Sequence, residues 1–258
     1  MLDSYPLHGL LAQRRAAIGL MLNFASAPLV EISALMGFDF IVIDAEHGPV
    51  DAADAEPMIR AAELARIAPI IRVPTARPDI SLRYLDLGAT GIMFPHIHDA
   101  QEARSAVEAV RFPPRGKRGV APSTNASGYG VRMPYRQYME HANSLLLPMI
   151  IIEEAEAVEE IERIVAVEGI AAIVVGTMDL SASMGFPGEP GRPEVEAAIG
   201  RVISAAKGAG LPVCLAGGAL EAARQNLRLG ADMLFTPIGS WLAAHGKAYT
   251  EALRGAWR

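Results

Sequence analysis

Short apolar runs alternate with longer amphipathic stretches along the whole chain, and this alternation limits the possible folds more than any other feature. Eight such runs occur, at residues 17–22, 38–44, 69–73, 91–95, 148–153, 171–176, 212–216 and 233–237. Runs that are nearly continuous in bulky and β-branched residues are typical of parallel strands covered on both faces. Eight strand–helix units in 258 residues favour an α/β fold, the (β/α)8 or TIM barrel. An open doubly wound sheet is the structural alternative.

The stretches between the runs have the composition of helices. Residues 100–111 and 155–167 are rich in alanine and glutamate and carry apolar residues at helical spacing. Gly88 and Gly230 stand shortly before the fourth and eighth runs, where a left-handed residue would end the preceding helix. The chain length fits one barrel, so residues 1–258 are predicted to form a single domain.

One segment interrupts the regular pattern. Residues 112–143, between the fourth and fifth runs, are rich in glycine, proline, arginine and serine. Long connections in compact domains are often functional. We therefore expect this connection between the fourth and fifth strands to lie near the active-site mouth.

Composition and charge argue against several classes of protein. The net charge of −6 provides no basic surface for nucleic acid, although a small anionic substrate needs only a local cation. The only cysteine, Cys214, cannot form an internal disulfide, which fits a reducing cytoplasm. We find no signal peptide and no apolar run long enough to cross a membrane. The prediction is a soluble, cytoplasmic protein.

Ionisable residues follow the second apolar run directly. Asp44, Glu46 and His47 lie within four residues of one another, and barrel active sites lie just after the C-terminal ends of strands. Because burying charges without partners is unfavourable, chemistry is favoured over packing; the alternative is a helix cap beside an ordinary loop histidine. Arg72, in the third run, could bind a carboxylate in a bidentate manner or form a structural ion pair with Asp44 or Glu46.

Carboxylates also follow the fifth and sixth runs. Glu153 ends the fifth run, and Asp179 follows Gly176, Thr177 and Met178 at the end of the sixth. Neighbouring strand ends can bring two carboxylates to one hard cation such as Mg2+ or Mn2+. Asp179 could also serve as a helix N-cap.

The positions of the lysines favour a metal over covalent catalysis. The chain contains Lys117, Lys207 and Lys247, and none follows a strand directly. A Schiff-base lysine needs a desolvated position in the active site. Carbonyl chemistry in this chain would therefore depend on a metal. Glu154, beside Glu153, is expected to face solvent or cap the next helix.

Several motifs together resemble one family of enzymes. In chain order they are FDFIVIDAEHGPVD, IIRV, LDLGATGIMFPHI, FPPRGKRGV, SGYG, IIIEEAEAVEEI, VEGIAAIVVG and DLSASMG. This combination is similar to the HpcH/HpaI class II pyruvate aldolases, over residues 19–237. The resemblance implies a barrel that uses Mg2+, Mn2+ or Co2+ to cleave a 4-hydroxy-2-oxo acid into an aldehyde and pyruvate or a close 2-oxo acid. It also implies a homo-oligomer, commonly a hexamer arranged as a trimer of dimers.

The resemblance further implies roles for individual residues. Glu153 and Asp179 match the family's metal ligands. His47 matches its catalytic base, and Asp44 matches an aspartate close to that histidine. Arg72 matches the residue that holds the 2-oxo acid and stabilises its enolate.

Two further sets of residues take their expected roles from the same resemblance. Asp86, in YLDLGA, matches an aspartate that pairs with the catalytic histidine of a neighbouring subunit. Gly176, Thr177 and Met178 are the expected substrate-binding residues beside the metal.

Three positions depart from the family pattern. Ile151 replaces a common glutamine two residues before the metal-binding glutamate, and Thr177 replaces a proline. Asn125 stands where many members carry arginine. None of the three removes an expected metal ligand or the base, so they bear on substrate and rate rather than on the type of reaction.

Two alternatives to the aldolase hypothesis remain. One is a lyase acting on a thioester such as malyl- or citramalyl-CoA, for which the only basic segment suited to CoA phosphates is PPRGKRG. The other is a barrel that binds a 2-oxo acid or a metal without turnover, which Ile151 and Thr177 would permit.

Overall fold

Eight parallel strands form a closed barrel in which each strand pairs with the next along the chain and β8 pairs with β1. The computed structural model describes residues 5–257. The strands are β1 (Ala17–Leu22), β2 (Phe40–Asp44), β3 (Ala68–Arg72), β4 (Gly91–Phe94), β5 (Leu147–Ile152), β6 (Ala172–Val175), β7 (Val213–Ala216) and β8 (Met233–Pro237). Each coincides with one predicted apolar run. The barrel prediction is therefore confirmed, and the open sheet is excluded.

Helices surround the barrel and connect its strands. They are α1 (Pro6–Ala12), α2 (Ala27–Leu35), α3 (Ala52–Ala65), α4 (Pro78–Leu87), α5 (Ala100–Val110), α6 (Tyr135–Leu145), α7 (Ala155–Glu159), α8 (Ile161–Val165), α9 (Thr177–Ser183), α10 (Pro193–Gly208), α11 (Leu220–Arg228) and α12 (Ile238–Ala256). A short 3-10 helix spans Gly128–Gly130. Within residues 5–257, no helix combines the length and apolar character needed to cross a membrane.

The helix predictions hold with one difference. The stretch 100–111 forms α5, whereas 155–167 divides into α7 and α8 at Glu160, which has φ −91° and ψ 6°. Val158 and Ile161, on either side of the break, are both buried. Gly88 and Gly230 have the left-handed backbone expected of them, with φ of 115° and 104°.

Two apolar layers build the core. Alternate residues of each strand face opposite sides of the barrel wall. Ile41 and Ile43 pack outward in the layer beneath the helices, while Phe40 and Val42 pack inside the barrel. Cys214 also lies inside the barrel and is fully buried.

An apolar segment closes the end of the barrel at which the strands begin. Leu7, on α1, is fully buried and packs with Tyr5 in the interior cluster of the barrel. The His8 side chain contacts the Leu145 carbonyl oxygen at 2.7 Å, which ties α1 to the end of α6. The barrel interior is therefore filled from this end, which leaves the opposite rim for a site.

Residues 112–143 follow α5 and make contacts on the outside of the barrel. The Asn125 side chain donates to the Leu87 carbonyl oxygen at the end of α4, and it accepts a hydrogen bond from Arg60 on α3. Arg118 forms an ion pair with Asp86 on α4. The end of α4 leads into β4, so these contacts lie toward the rim at which the strands begin. A position near an active-site mouth remains a prediction, and none of these contacts within the chain supports it.

Candidate active site

Strand alternation brings polar side chains together at the rim where the strands end. Asp44, Arg72 and Glu153 each lie two positions after a residue that packs inside the barrel. Those interior residues are Val42, Ile70 and Ile151. Since side chains alternate with a period of two, the polar residues form the next layer of the interior. This layer is the top of the barrel, where barrel enzymes carry their chemistry.

Asp44 and Arg72 form a bidentate ion pair across β2 and β3. The two residues are direct neighbours in the strand register. Arg72 donates from Nε to Asp44 Oδ1 at 3.0 Å and from Nη2 to Oδ2 at 2.8 Å. Burial lowers the pKa of Arg72, but the hydrogen bonds and charge of Asp44 outweigh burial, so its pKa is raised and the guanidinium stays charged. The ion pair considered from the sequence is therefore present, and it leaves Arg72 Nη1 facing no described partner.

The Asp44 carboxylate also organises the loop after β2. Its Oδ1 accepts the backbone N–H groups of Glu46 and His47, each at 3.2 Å. The turn is tight at Gly48, where a Cβ would lie 2.4 Å from the Asp44 carbonyl oxygen. These contacts fix the backbone at His47, while the His47 side chain remains exposed.

Glu46, which the sequence analysis placed in the ionisable cluster after the second run and considered as an ion-pair partner of Arg72, belongs to the site. Its side chain is 8% exposed and lies 3.3 Å from both Arg72 Nε and His96 Nε2. Burial raises the pKa of Glu46 more than the charges of Arg72, His47 and His96 lower it. Its Oε2 is buried without a hydrogen-bond partner among the described residues. The carboxylate therefore has capacity for a further ligand.

Glu153 is the most enclosed carboxylate of the cluster. Its side chain is 2% exposed, and its Oε1 accepts the His96 backbone N–H at 2.8 Å. Its pKa is raised, mainly by burial and also by the negative charges of Glu46 and Asp179. A Cβ at position 176 would lie 2.7 Å from Glu153 Oε2, so Gly176 leaves the space that this oxygen occupies.

Asp179 is not the N-cap considered from the sequence. Gly176 occupies the N-cap of α9, and Asp179 lies in the first turn of the helix with an exposed side chain. Thr177 and Met178 begin the same helix, and the Met178 side chain is 55% exposed. All four residues thus border the mouth beside Glu153.

His96, which follows β4, is the main residue that the sequence analysis missed. Its Nδ1 lies 3.1 Å from Glu154 and 3.5 Å from Glu153, and its Nε2 lies 3.3 Å from Glu46. The hydrogen bond with Glu154 raises the pKa of His96, and burial lowers it only partly. Glu154 occupies the N-cap position of α7, one of the two places expected for it, but its side chain makes no capping hydrogen bond and contacts His96 instead. The available signal was a polar residue just after the fourth apolar run, the position that Glu153 holds after the fifth.

Asp86 lies apart from this cluster within the chain. It is near the end of α4, and its Oδ1 accepts a hydrogen bond from Arg118 Nη2 at 2.8 Å.

The three residues that depart from the family pattern lie in different parts of the fold. Ile151 packs inside the barrel below Glu153, Thr177 borders the mouth, and Asn125 binds the outer helices.

The donor set at the rim fits a divalent cation. One atom each from Glu46, His96 and Glu153 lie within 4.8 Å of one another, and Asp179 adds a further nearby carboxylate. The charges of Glu46 and Asp179 both raise the pKa of Glu153, so the acids repel one another without a cation. Oxygen-rich sites of this kind suit hard cations.

An α/β barrel with clustered acids, an arginine and a histidine at the carboxyl rim of its strands has the architecture of a barrel enzyme. A sequence model described as HpcH/HpaI aldolase/citrate lyase matches residues 17–235. The chain belongs to this family.

Characterised relatives agree with that assignment. The chain is 36% identical to a hydroxypyruvate/pyruvate aldolase of Paraburkholderia phytofirmans, covering 89% of this chain and 92% of the relative. It is also 36% identical to a 2-dehydro-3,6-dideoxy-6-sulfogluconate aldolase of Pseudomonas putida, covering 86% of each. A crystal structure of an HpcH/HpaI aldolase/citrate lyase family protein from Burkholderia cenocepacia superposes with a TM-score of 0.92 at 35% identity, over 97% of this chain and 100% of that one. The protein is thus a carbon–carbon lyase of the aldolase kind.

Proposed function

We propose that the protein is a divalent-metal-dependent aldolase that cleaves a 4-hydroxy-2-oxo acid to an aldehyde and pyruvate, or a close 2-oxo acid. The observation that carries this proposal is the Asp44–Arg72 pair at the same rim as the buried carboxylate of Glu153, whose charge acts on Arg72. It puts a fixed positive charge next to a group that can hold a cation. Both are needed where negative charge develops on an oxo acid.

Glu153 and Asp179 would hold the metal, for which Mg2+, Mn2+ and Co2+ are the candidates. When bound, such an ion supplies Lewis-acid polarisation of a carbonyl oxygen. Glu153 has one oxygen beside Gly176, and Asp179 follows on the first turn of α9. Because Gly176 has no side chain, Glu153 Oε2 can lie against the start of α9, the helix that carries Asp179.

Arg72 would bind the 2-oxo acid and stabilise charge on it. Asp44 uses Nε and Nη2 of the guanidinium, so Nη1 is available for the substrate. Arginine keeps its charge at any working pH and holds a fixed geometry. As the C3–C4 bond breaks, the electron pair passes to the 2-oxo acid fragment, and Arg72 offsets the resulting negative charge.

His47 would take the proton from the C4 hydroxyl group as the aldehyde forms. Asp44 fixes the His47 backbone, and the exposed imidazole can reach a substrate from the mouth. A proton added at C3 then completes pyruvate. Thr177 and Met178, at the start of α9, would contact the remainder of the substrate.

Asp86 would act across a subunit boundary in a homo-oligomer. Its position near the end of α4 keeps it from His47 of its own chain, and Arg118 holds its carboxylate. Support for an oligomer comes from α12, which buries only Ile238 and exposes Leu242, Tyr249 and Leu253. Exposed apolar surface of this kind marks interaction sites. A hexamer and a cytoplasmic location remain parts of the proposal.

The contacts of the basic segment argue against a CoA thioester as substrate. Lys117 pairs with Glu108, and Arg118 pairs with Asp86. Two cations of PPRGKRG are thus already neutralised, which weakens any attraction for CoA phosphates.

The decisive experiment measures pyruvate released from a panel of 4-hydroxy-2-oxo acids. Protein stripped with chelator should release none, and Mg2+, Mn2+ or Co2+ should restore release. Folded protein that releases pyruvate equally well with chelator would contradict the metal. Folded protein without release under any metal would favour the thioester lyase or the non-catalytic binder, which CoA-thioester cleavage and oxo-acid binding assays separate.

A further inference from the structure

His96 holds an unusual backbone conformation at the rim of the barrel. Its φ is 52°, in the left-handed region that residues with a side chain rarely occupy. Histidine tolerates this region better than most residues, although it still adopts it at a cost. Such conformations persist where the surroundings impose them and are frequent at functional sites.

This backbone conformation serves a contact with Glu153. The His96 N–H donates to Glu153 Oε1 at 2.8 Å. The other oxygen, Oε2, lies on the side of Gly176, where an added Cβ would approach it to 2.7 Å. The two oxygens thus have different neighbours, the His96 backbone N–H for Oε1 and Gly176, at the start of α9, for Oε2.

The imidazole adds a second attachment. It lies between Glu154, 3.1 Å from Nδ1, and Glu46, 3.3 Å from Nε2. Glu154 follows β5 and Glu46 follows β2. The side chain of His96, which itself follows β4, therefore contacts residues at the ends of two other strands. These contacts belong to the side chain and are separate from the backbone contact with Glu153.

We propose that His96 is a positioning residue of the metal site, whose left-handed backbone N–H occupies Glu153 Oε1 and thereby presents Oε2 to the ion. The inference rests on the proposed function, since it takes Glu153 to be a metal ligand. It assigns the effect to the main chain and not to the imidazole, because both ring nitrogens already face acids, Nδ1 facing Glu154 and Nε2 facing Glu46.

The test separates the backbone of His96 from its side chain. Glycine and asparagine readily adopt a left-handed backbone, alanine does so less well, and valine is a clear outlier there. His96→Gly and His96→Asn should therefore bind Mn2+ within about threefold of the wild type in calorimetry. His96→Val should bind at least about tenfold more weakly, equivalent to about 1.4 kcal/mol, and His96→Ala should fall between.

A matched control shows whether strain alone accounts for the result. Arg66, after α3, has a similar φ of 56° and lies at the other end of its helix from the site. Arg66→Gly and Arg66→Val should differ in melting temperature but not in Mn2+ affinity. If His96→Val does not fold, by circular dichroism, the comparison of His96→Ala with His96→Gly decides.

Each outcome has one meaning. Equal losses of affinity in the glycine and valine variants would overturn the inference and show that the imidazole matters instead. Wild-type affinity in all four variants would overturn it as well, while leaving the metal-dependent aldolase intact. No Mn2+ binding by the wild-type protein would contradict both.

Discussion

The two rims of the barrel treat their acidic residues differently. Where the strands begin, Asp39 accepts a hydrogen bond from the Ile18 backbone N–H. Asp232 accepts hydrogen bonds from the Lys207 side chain and from the Val213 backbone N–H. Where the strands end, Glu46 and Glu153 lie close to each other and both have a raised pKa. The first rim satisfies its charges internally. The second leaves unfavourable charge that a bound cation would neutralise, as expected where function rather than stability selects the residues.

The largest expected effect is on activity at the rim where the strands end. Glu153→Gln keeps an acceptor for the His96 N–H but removes the charge that would hold the metal. Pyruvate release should fall by about a thousandfold or more, while the metal-free protein should unfold no more easily than wild type. Steady-state kinetics test the loss of pyruvate release, and urea unfolding tests the stability. Retention of more than about a tenth of the activity would contradict the assigned role.

The next effect is on stability, through Arg72. Arg72→Met would leave Asp44, which is 2% exposed, as a buried carboxylate without its ion-pair partner. The free energy of unfolding should fall by about 3 kcal/mol. Arg118→Met provides the comparison. Its partner Asp86 is 25% exposed, so water can solvate that carboxylate and the loss in free energy of unfolding should be smaller. If Arg118→Met were the more damaging change in urea unfolding, the contrast between the two pairs would be wrong.

A smaller effect concerns pH and the metal-free protein. Because burial raises the pKa of Glu46 above its ordinary value of 4.5, the contribution of Glu46 to the stability of the wild type is greatest below that pH. This contribution is lost as pH rises from there through the folded-state pKa. Glu46→Gln lacks this loss, so it should be the more stable protein at pH 7–8, on the order of 1 kcal/mol or roughly 2–4 °C in Tm. The difference should vanish toward pH 4. Thermal unfolding in chelator measures it, and a difference that grew with acidity would have the wrong sign.

The smallest effect belongs to the rim where the strands begin. Asp232→Asn weakens the contact with Lys207 but keeps an acceptor for the Val213 N–H. We expect a loss of about 1 kcal/mol in the free energy of unfolding, with pyruvate release within twofold of wild type. A large loss of activity in folded protein would mean that this rim also serves function.

Much of the fold could be predicted because strand composition and spacing are local properties. Each of the eight apolar runs became a strand, and Gly88 and Gly230 took the backbone that their turns require. The break at Glu160 was not predictable, because residues 155–167 contain no glycine or proline that would mark it.

The candidate site was predictable in part, and for a similar reason. Three polar residues each come two positions after a residue that packs inside the barrel: Asp44, Arg72 and Glu153. Because side chains alternate along a strand, this spacing alone brings the three to the same rim. The resemblance to a family supplied their expected roles, which remain predictions. Glu46 was marked only by its place in the cluster after the second run. His96 received no role, because nothing local marks a loop residue as facing a neighbouring strand.

The sequence by itself determined the barrel, the layer of side chains at its rim and the family to which the chain belongs, because these follow from periodicity and from motifs in order. Only the tertiary structure decided which loop residues meet that layer. His96 approaches Glu153 because a left-handed turn after β4 directs its N–H across to β5. Asp86 lies apart from the same layer because α4 carries it to the other end of the barrel. Distances between segments remote in the chain depend on how the whole barrel closes, and no short stretch of sequence contains that information.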